Sequence, residues 1–187
     1  MIRLALAALL AATPALADAP APLPFALGGA YELTDHTGAT RTQADPDGNP
    51  QLLFFGYANC QEICSAALPL MGNVADTLAD EGVAISLVMI TVDPEFDTVE
   101  AIGPALHQIH PDFVGLTGAE ADLQVAYDAF NIESELLFHD PAGRPVYSHG
   151  SMLYLLDGQG EVMTLVPPVL SPTHVADIVR GYVAPAG

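Results

Sequence analysis

A chain of 187 residues suits one domain around a single core, and 51% apolar against 14% charged residues excludes general disorder. The formal net charge is −19, with no lysine and with arginine only at positions 3, 41, 144 and 180. That balance excludes nucleic acid and anionic lipid surfaces as partners, since both require basic patches, and reads instead as a solvated acidic exterior.

The first segment, residues 1–17, has the form of an export signal. Arg3 supplies the positive start, Leu4 to Leu10 the short apolar run, and Ala15-Leu16-Ala17 the small-residue cleavage site. The mature chain is expected to begin at Asp18, in the periplasm. The alternative, an uncleaved membrane anchor, is disfavoured because the run is shorter than the ~20 residues a spanning helix needs and Pro14 interrupts its end. Residues 18–24 are an Ala/Pro-rich leader, and 25–184 the folded domain.

Within the domain, Ala30 to Leu33 predicts a short strand, followed by a turn at Asp35-His36-Thr37-Gly38. Gln51 to Tyr57 is a continuous apolar run, as in a strand buried on both faces. Cys60 to Asp80 has helical spacing, with Ile63, Ala67, Leu70, Val74 and Leu78 on one stripe and Gly82 closing it. Val83 to Val92 predicts a second buried strand. Asp97-Thr98-Val99-Glu100 fits a capping box, with Gly103-Pro104 expected to kink or delay the helix that follows. Phe113 to Leu116 reads as a strand and Ala119 to Phe130 as a helix. Met152 to Leu156 and Val162 to Val166 pair as a hairpin across Asp157-Gly158-Gln159-Gly160. Pro172 to Tyr182 closes the chain as a helix capped by Ser171. This alternation predicts an α/β fold, a central sheet covered by helices on both faces.

Two cysteines, Cys60 and Cys64, stand where a buried strand runs into a helix, the ligand end of such sheets. One close pair is not a disulfide framework, and closing so short a loop adds little stability, so the pair serves chemistry or metal. On a helix their Cβ atoms lie roughly 5–6 Å apart, which suits two thiolates on one metal and strains a disulfide. A disulfide there should be readily reduced, with a potential above about −300 mV. Soft thiolates with an imidazole select copper or zinc; a plain redox dithiol is the other reading.

The stretch Phe55-Gly56-Tyr57-Ala58-Asn59-Cys60-Gln61-Glu62-Ile63-Cys64 resembles the Sco/SenC family. So do Ile90-Thr91-Val92-Asp93-Pro94, Asp97-Thr98, Leu116-Thr117-Gly118, and Ser148-His149 followed by Tyr154-Leu155-Leu156-Asp157. The early Gly28-Gly29, Tyr31, Leu33 and Asp35 extend the resemblance over residues 28–182. It implies a thioredoxin-like fold that binds a copper ion, Cu(I) or Cu(II), through Cys60, Cys64 and His149. It further implies a metallochaperone assisting assembly of the CuA centre of a respiratory cytochrome oxidase. The expected partners are the CuA-bearing oxidase subunit or another periplasmic copper protein. The alternative is a thiol–disulfide oxidoreductase acting on client cysteines, with Cys60 and Cys64 as the redox-active pair. A peroxidase is disfavoured, because the position three before either cysteine is Tyr57 or Gln61, not Thr or Ser.

The chain departs from the family pattern at Gln61, Glu62 and Ser65 around the cysteines, at Phe96, and at Ser148. No ligand is lost, although neighbours of ligands tune metal affinity. Met152 could add a thioether but more commonly enters a core. His107 and His110, three apart, are read as helix-end polar residues before a weak metal site. His36, His139 and His174 are read as surface, and Asp93-Pro94 as a partner contact or a strand terminator.

Overall fold

A computed structural model describes residues 23–58 and 64–183, apart from the side chain of Cys64. The expected export signal, residues 1–17, and Cys60 lie outside the described residues. No described helix is long and apolar enough to cross a membrane.

The described elements are β1 (Glu32–Asp35), β2 (Thr40–Thr42), β3 (Gln51–Gly56), α1 (Cys64–Ala79), β4 (Ser86–Thr91), α2 (Val99–Leu106), β5 (Phe113–Thr117), α3 (Glu120–Phe130), β6 (Glu135–His139), β7 (Pro145–Ser148), β8 (Leu153–Leu156), β9 (Val162–Val166) and α4 (Pro172–Val183). Seven strands make one mixed sheet in the order β2-β1-β5-β4-β3-β8-β9. Strands β3, β4 and β5 run parallel, and β1, β8 and β9 add antiparallel partners on either side. The remaining pair, β6 and β7, forms a separate two-stranded sheet.

β3 lies at the heart of the sheet. Every residue of it is buried, and neighbours Phe54 and Phe55, which point to opposite faces, are each 0% exposed. Phe55 meets Tyr127 and Phe130 of α3, at ring-centroid distances of 6.1 and 5.3 Å. Leu68, Met71, Val74 and Leu78 of α1 are fully buried, and α1 packs against β3, β4 and α4. The apolar run expected of a strand covered on both sides is therefore this central strand.

A single turn design recurs four times. Asp35, Asp45, Asp140 and Asp157 each accept two backbone N–H groups, two and four residues ahead, at 2.8–3.0 Å. The residue three after each aspartate is a glycine with φ between 74° and 86°, a conformation that costs other residues a steric penalty. Part of the acidic composition thus folds turns. At Asp140 the Arg144 and Ala142 amides hold the carboxyl below its ordinary range.

Some expectations needed correction. The first strand begins two residues later than expected, and β2, β6 and β7 were not foreseen. The strand expected over Val83 to Val92 is confined to Ser86–Thr91. Thr98, not Asp97, is the N-cap of α2, and it makes no side-chain cap bond. The capping box fails because the Asp97 carboxylate is turned to Ala58 and Thr91. Pro104 lies inside α2, which starts at Val99 without delay. Ser171 does cap α4, accepting the His174 N–H at 3.3 Å.

Gly115 on β5 shows how closely α2 sits on the sheet. A Cβ there would lie 2.6 Å from Ile102 Cγ1 and 2.9 Å from Leu106 Cδ1. Gly115→Ala should therefore force α2 away and destabilise the fold by roughly 1–3 kcal/mol. Denaturant unfolding of the metal-free protein measures this; a variant as stable as the wild type would show that α2 yields without cost.

Candidate metal site

Two stretches singled out in the sequence, the end of β3 and the loop carrying His149, meet at one corner of the sheet, near the C-terminal ends of β3 and β4. β3 ends at Gly56, and Tyr57 and Ala58 lead into the segment that carries Cys60. Cys64 lies in α1, which is described from that residue onward. β8 runs antiparallel to β3, with Leu53 opposite Tyr154, and its start is thereby brought towards the end of β3. His149 lies between β7 and β8, on the approach to that start.

The His149 ring is half-buried and held edge-on against two aromatic rings, Phe54 at 5.7 Å and Tyr57 at 5.8 Å. Tyr57 precedes Cys60 by three residues, a reach of at most about 11 Å. His149 Nδ1 lies 2.9 Å from the Gly150 carbonyl oxygen. A carbonyl can only accept, so Nδ1 carries the proton and, in the neutral ring, Nε2 carries the lone pair. That tautomer suits metal binding through Nε2, with the ring oriented by the hydrogen bond at its other nitrogen.

A buried polar network backs this corner. Asp97, 2% exposed, accepts the Ala58 N–H at 2.9 Å and the Thr91 hydroxyl at 2.8 Å, both on Oδ2. Burial pushes the Asp97 carboxyl above its ordinary range, and these two bonds pull against it. Thr91 Oγ1 in turn accepts the Asp93 N–H at 2.9 Å, and the Thr91 carbonyl accepts the Tyr127 hydroxyl at 2.6 Å. The Asp93 carboxyl is pushed up to about 6, by burial and then by the charge of Asp97. Tyr147, whose hydroxyl stands 3.5 Å from Asp93 Oδ1, packs its ring on Tyr57 at 5.7 Å.

The other histidines go elsewhere. His107 Nε2 meets the Phe113 carbonyl at 3.1 Å, and His110 Nε2 pairs with Asp76 at 3.2 Å, so the two share no site. His36, read as a surface residue, is half-buried instead: its ring meets that of His107 edge to face at 4.9 Å, and Gly103 makes room for it. His139 and His174 are exposed, His139 at the end of β6 and His174 in the first turn of α4. Met152 is half-buried just before β8.

Sequence reasoning missed the roles of Asp97, Tyr57 and Tyr147, which emerge only when distant segments meet. It also missed the β6–β7 hairpin. There a signal was available, because Asp140-Pro141-Ala142-Gly143 repeats the Asp-x-x-Gly turn recognised at Asp35.

The profile of the SCO1/SenC family matches residues 20–184. An SCO2-like protein of Rickettsia felis is 30% identical over 156 residues, covering 83% of this chain and 76% of that protein. The human mitochondrial SCO2 homolog is 31% identical over 158 residues, 83% of this chain and 59% of the longer human protein. Among solved structures, Bradyrhizobium japonicum ScoI with copper bound is 26% identical and superposes with a TM-score of 0.75, over 84% of this chain and 100% of that one. With a thioredoxin-like sheet and helices, and a family match across nearly its whole length, this chain belongs to the SCO1/SenC family.

Proposed function

We propose that this protein is a periplasmic copper chaperone that binds one copper ion through Cys60, Cys64 and His149. It hands the ion to the CuA-bearing subunit of a respiratory cytochrome oxidase. The observation that carries this reading is His149. Its Nδ1 is engaged by the Gly150 carbonyl, and its ring is packed on Tyr57, just ahead of the segment bearing Cys60. Copper in the solved structure of the B. japonicum relative supports the choice of metal. In this reading Cys60 and Cys64 bind as thiolates, giving up two protons, and His149 binds through Nε2. Two soft sulfurs and one imidazole suit copper, and three ligands suffice for Cu(I).

The second reading is a thiol–disulfide oxidoreductase, favoured by one close cysteine pair, Cys60 and Cys64, in the stretch from the end of β3 into α1. Here the Cys60–Cys64 dithiol would be oxidised to a disulfide while a client disulfide gains the two electrons and two protons. The two readings differ in their need for His149.

His149→Ala should lose Cu(I) binding in competition with a chelator while keeping dithiol exchange with a model disulfide. In cells at limiting copper it should lower oxidase activity, with partial rescue by added copper. Full oxidase activity from a stably folded His149→Ala protein would transfer the function to the reductase reading.

Asp97 anchors the entry to the cysteine segment, so Asp97→Ala should weaken Cu(I) binding by about tenfold or more. Asp97→Asn, whose side-chain oxygen can still accept both bonds, should restore most of it. Equal affinities for both variants would show that the anchor does not act on the site.

Export is checked by the intact mass of the secreted protein, which should correspond to a chain starting at Asp18. A mass retaining residues 1–17 would favour an anchored form.

A further inference from the structure

The β6–β7 hairpin stands apart from the main sheet and leads directly into His149. Strand β6 exposes three consecutive apolar side chains, Leu136 (46%), Leu137 (55%) and Phe138 (56%). The register slips between Leu136 and Phe138, leaving Leu137 without an opposite residue. A two-stranded ribbon gains little stability by itself, and adjacent exposed apolar groups on a strand mark contact surfaces or aggregation hazards. This ribbon is tied to the metal corner by Tyr147. Opposite Leu136 in the hairpin, Tyr147 packs its ring on Tyr57.

Beside the neck of the hairpin lies a cavity of ≈ 660 Å³. It is lined by five carboxylates, Asp93, Glu95, Glu120, Asp128 and Glu133, and by no basic residue. The cavity and the apolar strand share the hairpin, since Glu133 and Ser134 immediately precede β6 and Tyr147 lies on β7. Uncompensated like charges at an opening attract a cation.

This chain cannot easily supply that cation to itself or to a second copy. It has no lysine, and each described arginine is already paired: Arg41 with Asp35 and Asp45, Arg144 with Asp140, and Arg180 with Glu81 and Asp177. An anionic membrane is repelled by the same carboxylates.

We propose that the hairpin and the acidic cavity together form the docking surface for the client protein. The fitting client presents an apolar patch to Leu136, Leu137 and Phe138 and, beside it, a lysine or arginine that enters the cavity. Docking there brings the client's ligands to the corner occupied by His149, so that metal or electrons pass over a short path. This inference rests on the client reading above, and it names the face and the chemistry by which the client is recognised.

The test titrates ¹⁵N-labelled mature protein, loaded with Cu(I), with the metal-free soluble CuA domain from the same organism's oxidase. Shifts should concentrate in residues 133–148 and 93–96. Leu137→Ser/Phe138→Ser should weaken binding by at least about tenfold while Cu(I) affinity and melting temperature stay unchanged. Glu95→Lys/Glu133→Lys should also weaken binding and remove the loss of affinity with added salt that the wild type shows. Shifts confined to another face, or either double variant binding like the wild type, would overturn the proposal. A protein that binds copper normally yet does not engage this domain overturns the docking surface and leaves the copper site standing. One that docks without binding copper does the reverse.

Discussion

The hydrogen bonding of β3 along both edges is the constraint on which the site depends. Its parallel pairing with β4 runs through six residue pairs, from Gln51 opposite Ser86 to Gly56 opposite Thr91. Its antiparallel pairing with β8 occupies the other edge. A strand held in this way, with both faces covered, cannot slip by one residue without exchanging Phe54 for Phe55 between the two sides of the core. The end of β3 is therefore a fixed point, and the segment carrying Cys60 departs from it.

Two different forces then complete the corner. Asp97 joins the residue after Tyr57 to Thr91 at the end of β4, spanning two parallel strands with one buried carboxylate oxygen. Removing it would strand a part-buried N–H and a buried hydroxyl, so the cost falls on the segment leading to the cysteines. His149 is held by packing instead, through the rings of Phe54 and Tyr57, with the Gly150 carbonyl selecting its tautomer. The site thus combines a hydrogen-bonded anchor on one side with an aromatic clamp on the other.

The acidity of the chain also divides by physical role. Aspartates of the Asp-x-x-Gly turns are spent on backbone N–H groups and make local geometry. The carboxylates around the cavity beside the hairpin have no cation there, and Asp93 is pushed upward by burial and by Asp97. A single net charge hides this difference between carboxylates bonded to backbone N–H groups and carboxylates gathered around one opening.

Much of this was legible along the chain. The buried strand at Gln51–Gly56, the helix through Cys64 to Ala79, the β8–β9 hairpin and the Ser171 cap follow from periodicity and turn chemistry, which are local properties. The spacing of Cys60 and Cys64, with the surrounding motifs, also marked the family. Tertiary structure decided the rest. Asp97 looked like a helix cap in its own neighbourhood, and became an anchor because Ala58, thirty-nine residues earlier, offers it a part-buried N–H. His36 looked like a turn residue and became a partner of His107 because β1 pairs with β5 beside α2. The exposed strand Leu136 to Phe138 could have been read as core; only the packing of the finished sheet leaves it outside. Local pattern determines which elements form, because it acts through near neighbours. Which side chains meet across them depends on register and layer packing, which no window of sequence contains.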